Sequence, residues 1–184
     1  MQTVDYFVAT ALKNLRRQRQ LSLAQCAALT GVSKAMLGQI ERNESGPTVA
    51  TLWKIADGLQ VPFSWFIQPP PSNSTTLPQG AEGGGITVRS LLPYDTDLAM
   101  DTLLITLAPG AVSHESCHAA GAIEQVIVVS GRLVLSLEET DYALASGEAK
   151  RFAADICHRY HNPLQVPVSF HSLIHYPLST ASGG

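Results

Sequence analysis

The hydrophobic period of this sequence changes once, across a stretch that carries no period at all. Residues 68–85 read QPPPSNSTTLPQGAEGGG, a Pro, Ser, Thr and Gly composition that suits a linker or long loop. Before it, apolar residues recur at helical spacing, as in Phe7, Val8, Ala11, Leu12 and Leu15, or Leu52, Ile55, Ala56 and Leu59. After it come short β-rich runs, ITVRSL, TLLITL, EQVIVVSGRLVLSL and VSFHSLIHY, separated by Pro-Gly, Ser-Gly and Asn-Pro turns. Helices followed by strands exclude a single mixed sheet and predict an α+β chain of two domains. The expected division is an all-α domain over residues 1–67, a linker over 68–85 and an all-β domain over 86–184.

Charge divides at the same place. The 184 residues carry a net charge of −3, which as a whole-chain figure argues against a nucleic-acid partner. Residues 1–67, however, hold seven basic and four acidic side chains, and the remainder holds 5 basic and 11 acidic ones, giving +3 and −6. A small basic module is hidden in an acidic chain. No window approaches a membrane span, the amino terminus has no secretory pattern, and three cysteines are too few and scattered for a disulfide framework. A cytoplasmic protein without a membrane partner is expected.

Within residues 1–67 about five helices can be marked. Ser22 and Gln25 form a capping-box pair that starts a helix stopping at Gly31. Ser33 caps the next helix, which ends in the turn from Asn43 to Pro47; Thr48 opens a fourth, and Pro62 suits a first helical turn. Two helices joined by Gly31 and Val32 alone must cross steeply, with Ala27 allowing the approach and Leu37 and Ile40 facing inward. The stretch LSLAQCAALTGVSKAMLGQIERNESGPTVATLWKIADGL strongly resembles the phage-repressor-like (XRE-type) helix-turn-helix family across most of residues 10–67. That resemblance implies DNA binding, with the second helix in the major groove. Lys34, Ala35, Gly38 and Gln39 would then meet base edges, and Ser33, Arg42, Asn43 and Thr48 would meet phosphates. The basic run Arg16, Arg17 and Arg19 has two readings, a solvated face or a DNA-backbone contact.

All six histidines lie after the linker. His118 precedes Glu124 by six positions, and Gly131 follows seven later; Gly147 precedes His158 by eleven, and Asn162 follows four later. These blocks resemble the paired motifs of the cupin superfamily, a small antiparallel β-barrel (jelly-roll) in which inward-facing His and Glu hold one metal ion. There are departures: Ser116 stands where the first motif opens with His, and Ala153-Ala154-Asp155 replaces Pro-x-Gly. The resemblance implies a set of His118, Glu124 and His158, three ligands with an open position, and a divalent metal with zinc ahead of iron, nickel or manganese. His114 is a candidate substitute for the missing ligand. On a strand the cysteines of Cys117-His118 and Cys157-His158 would face away from the barrel interior and act as packing residues. His171 and His175 share a strand face and either line the ligand pocket or are core histidines.

The combination resembles one large group of bacterial transcription regulators, and more narrowly its sulfur-utilisation subgroup. It implies a homodimer on an inverted repeat in double-stranded DNA, with a small-molecule effector such as cysteine or methionine, and no enzymatic activity. A metal-free cupin dimerisation module and a dioxygenase-like cupin metalloenzyme are the competing expectations.

Overall fold

The computed structural model describes residues 4–66, 85–95 and 97–177; the linker call falls, Gly85 excepted, outside them. The amino-terminal half is helical: α1 (Val4–Gln18), α2 (Leu23–Thr30), α3 (Lys34–Glu41) and α4 (Val49–Gly58), then a short 3-10 turn over Phe63–Phe66. The fifth helix expected after Pro62 is thus a single tighter turn.

The local signals act as anticipated. Ser22 Oγ accepts from the Gln25 amide while Gln25 returns a bond to the Ser22 amide, and Gly31 ends α2 with φ of 66°. Ser33 and Thr48 cap α3 and α4 through the Met36 and Thr51 amides. Leu37 and Ile40 are buried in the bundle core with Leu12, Cys26, Leu52 and Ile55. Arg16 ties α1 to α3, its Nε and Nη2 donating to the Glu41 carboxylate at 2.5 and 2.7 Å and its Nη1 to the Leu21 carbonyl. Arg19 donates to the Leu59 carbonyl. Of the basic run, Arg16 is therefore a structural clasp.

The rest is antiparallel β-structure. A five-stranded sheet has the order β1 (Ile86–Asp95), β2 (Met100–Leu107), β8 (Val168–His175), β3 (Ile123–Ser130), β6 (Ala149–Ala153). A three-stranded sheet has the order β5 (Thr140–Ala145), β4 (Arg132–Leu137), β7 (His158–His161). Alternate residues of β2 and β8 are buried, so one face of each strand builds the barrel interior. Among the described residues no helix is long and apolar enough to cross a membrane.

The halves pack on each other. Phe63 and Phe66 are fully buried, Ser64 donates to Asp101 at the start of β2, and Tyr176 donates to the same carboxylate. Burial raises the Asp101 pKa, and these donors oppose the rise.

One expectation is corrected. Cys117 and Cys157 do point away from the barrel interior, but they are bonded to each other and exposed. Ser116 and His158 exchange both backbone hydrogen bonds at 2.9 Å, so the next pair outward is a non-hydrogen-bonded one, where side chains approach closely. The disulfide spans a separation of 40 residues; constraining such a loop in the unfolded chain is worth about 4 kcal/mol. Reductant should therefore lower the chemical-denaturation stability by up to about that amount. Cys117→Ser, lacking the crosslink, should show no such reductant dependence.

Candidate functional site

Two surfaces carry chemistry. The first is the outer face of α3, where Lys34, Ala35, Gln39, Arg42 and Asn43 are all exposed. Met36 shares this face, 38% exposed, and sequence reading missed it because methionine reads as core. Gly38 is different: it is buried, and a Cβ there would lie 3.0 Å from the Arg42 guanidinium that covers it. The Ser33 and Thr48 oxygens serve as helix caps. Arg42 donates twice to Glu44 at 2.7 Å on the open surface, a pair too exposed to hold firmly. Beside the end of α3, Lys13, Arg17, Arg42 and Asn43 line a polar cleft of about 350 Å³ shared with α1. Its one acidic lining residue, Glu41, is neutralised by Arg16, so the cleft is basic.

The second surface is inside the barrel. Glu124 (β3) is 1% exposed, His118 lies on the segment before β3, and His158 opens β7. Each polar atom around Glu124 has an assigned task. Tyr160 and Ser172 hydroxyls both donate to Oε1 at 2.6 Å. His158 Nδ1 donates to the Ile156 carbonyl and His118 Nδ1 meets Asp57 Oδ1, both at 2.9 Å, turning both Nε2 atoms inward. They approach Glu124 Oε2 at 3.4 Å from His118 and 3.3 Å from His158. That oxygen has no aligned hydrogen bond, the one such buried side-chain atom among the described residues.

Charge follows geometry. Burial alone would lower the His118 pKa, but the hydrogen bond to Asp57 and the charges of Asp57 and Glu124 lift it to about 10. Burial alone would raise that of Glu124, and the two histidines hold it far below the usual carboxylate range.

The donors fit a metal ion. One ligand atom from each of His118, Glu124 and His158 lies within 4.8 Å of the others. Ligands about 2.0–2.1 Å from a tetrahedral ion stand about 3.3 Å apart, the spacing of the two Nε2–Oε2 pairs. An unpaired buried carboxylate oxygen facing two imidazole nitrogens is also the atom that a cation would satisfy. His114 lines the same pocket but stands outside this cluster, and burial lowers its pKa.

The pocket beside the cluster has a free space of about 30 Å³, room for one or two waters. Its walls come from both halves: Val49, Ala50 and Trp53 of α4 face Ile105, Leu107 and Tyr160 of the barrel. His171 and His175 are not brought there. Ser172, between them, points inward to Glu124, so the two histidines occupy the outer face of β8. The signal was available in the alternation Val168, Phe170, Ile174, which marks the inner face.

The comparisons with known proteins agree with this anatomy. Residues 12–66 match the helix-turn-helix family and residues 103–174 the cupin domain family. The HTH-type transcriptional regulator SutR of Escherichia coli is 51% identical over 179 residues, covering 97% of this chain and all of that one. PuuR, a second regulator from that organism, is 22% identical over 160 residues, 82% of this chain and 85% of that one. A solved structure of an HTH_3 family transcriptional regulator from Vibrio cholerae superposes with a TM-score of 0.77 at 38% identity, covering 94% of this chain and 97% of that one.

Glu124→Ala should strand two buried hydroxyls and the His118 charge, a loss of about 3–5 kcal/mol in urea unfolding. Glu124→Gln, which keeps an acceptor for Tyr160 and Ser172, should lose less.

Proposed function

Because this chain belongs to the HTH-type transcriptional regulators that couple a helix-turn-helix to a cupin domain, we propose that its cupin half is a metal-dependent sensor of a small molecule. The chain is a DNA-binding regulator rather than an enzyme. His118, Glu124 and His158 hold the metal, zinc by preference of a compact His/Glu set. Bound there, zinc would supply a Lewis-acid centre with a position open to a thiolate, amine or carboxylate. A sulfur-containing amino acid, cysteine or methionine, offers those groups, and the resemblance to sulfur-utilisation regulators supports that class. The observation that carries the reading is the convergence of two imidazole Nε2 atoms on a carboxylate oxygen with no other partner.

On the DNA side, Lys34, Ala35 and Gln39 read base edges while Arg42 and Asn43, with the Lys13 and Arg17 cleft, meet phosphates. Two chains pair, because one such head buries too little surface for tight specific binding; the site is then an inverted repeat.

Elemental analysis should find about one zinc per chain in the wild type and none in His158→Ala; a wild type free of metal would sink the metal claim. Gln39→Ala should cost about 1–3 kcal/mol on the preferred sequence and relax a single base position. Arg42→Ala should weaken all sequences alike and reduce the salt slope by about one. Gel-shift titration across salt concentrations measures both.

A further inference from the structure

The cupin pocket is not closed by the cupin alone. Helix α4, which belongs to the helix-turn-helix half, covers it with Val49, Ala50 and Trp53. Trp53 is sandwiched, its ring 4.0 Å from that of Phe63 and 5.6 Å from that of His118. One turn further along α4, the Asp57 carboxylate is used at both ends. Oδ1 accepts from His118 Nδ1 at 2.9 Å and Oδ2 accepts from the Ser116 hydroxyl at 2.7 Å. The Asp57 side chain is 17% exposed, so these bonds are largely shielded from water.

From these contacts we infer that the DNA-binding half supplies a wall of the cupin pocket, and that Asp57 is a positioning residue for His118. The inference deepens the sensor reading above and rests on it for the metal. Asp57 fixes which ring nitrogen of His118 faces inward and the angle at which it does so, the task that carboxylates behind metal-bound imidazoles perform. The same bonds hold α4 against the barrel. At the very next residue α4 is locked to α2: a Cβ on Gly58 would lie 2.4 Å from the Leu29 carbonyl oxygen, so only glycine permits that approach. Helix α2 leads through the Gly31 turn to α3, the exposed reading helix. A continuous path of packed elements thus runs from His118 through Asp57, α4 and α2 to the DNA face.

Two measurements on the full-length protein test this. The first is a cobalt(II) titration followed by the visible absorption band. Asp57→Ala should bind cobalt about 10–100-fold more weakly, with a shifted band. Asp57→Asn can still accept from His118 and donate to Ser116, and should return to within a few-fold of wild type. Equal affinity and an unchanged band in Asp57→Ala would overturn the positioning role. The second needs no metal: amide hydrogen exchange over residues 49–58. Removing the barrel-side partners, in Ser116→Ala and separately His118→Ala, should speed exchange in α4 by at least about tenfold. Exchange in α4 that ignores both barrel changes overturns the shared wall, and Ser116→Ala guards against a misfolded His118 variant. If wild type fails to take up cobalt, the metal reading fails by itself and the exchange experiment still decides the wall.

Discussion

A carboxylate 1% exposed to solvent is a heavy charge to keep inside a small barrel, and the arrangement of the β-half follows from having to satisfy Glu124. Three segments must deliver donors to one point: β7 its Tyr160 hydroxyl and His158 ring, β8 its Ser172 hydroxyl, and the segment before β3 its His118 ring. Each strand can do so only in one register. Val126 opposes Ser172 and Glu124 opposes Ile174, and a slip by one residue would turn Glu124 to the outer face. The polar cluster therefore specifies the pairing as firmly as the apolar core does.

The helical half is organised by shorter-range rules. Caps at Ser22, Ser33 and Thr48 start three helices, and the Arg16–Glu41 clasp sets α1 against the end of α3. That clasp withdraws one arginine from the surface and neutralises the acid nearest the basic cleft. Because the clasp removes one charge of each sign, the surplus of +3 in this half rests on the remaining side chains, and Glu44 pairs with Arg42 in the open, where salt competes with it.

What the sequence displayed was what depends on near neighbours or fixed spacing. The capping box, the Gly31 turn, the alternating strands and the His118, Glu124, His158 spacing all translate directly into the observed placement. What it concealed depends on partners far along the chain. Asp57 lies 61 residues from His118, and an acid on an amphipathic helix reads as surface. Cys117 and Cys157 are likewise a long-range pair, recognisable only once Ser116 and His158 are seen to be bridged. His171 and His175 were a question of strand parity, which the bulky residues around Ser172 answer. Ser116 reads as a lost ligand in the motif, yet its hydroxyl has a partner in the other half.

The small free space beside the three site residues has a thermodynamic consequence. With α4 seated, about 30 Å³ remains, and an amino acid is far larger than the one or two waters that fit. The helix and any such molecule that sought the three site residues would therefore be rivals for the same volume, with the helix competing from within the chain at a fixed, high effective concentration. The affinity measured for an incoming molecule is its intrinsic affinity scaled down by the fraction of protein whose helix has stepped back. Substitutions that loosen α4 at Val49 or Ala50, away from the Asp57 support of His118, would tighten apparent binding without touching the molecule bound.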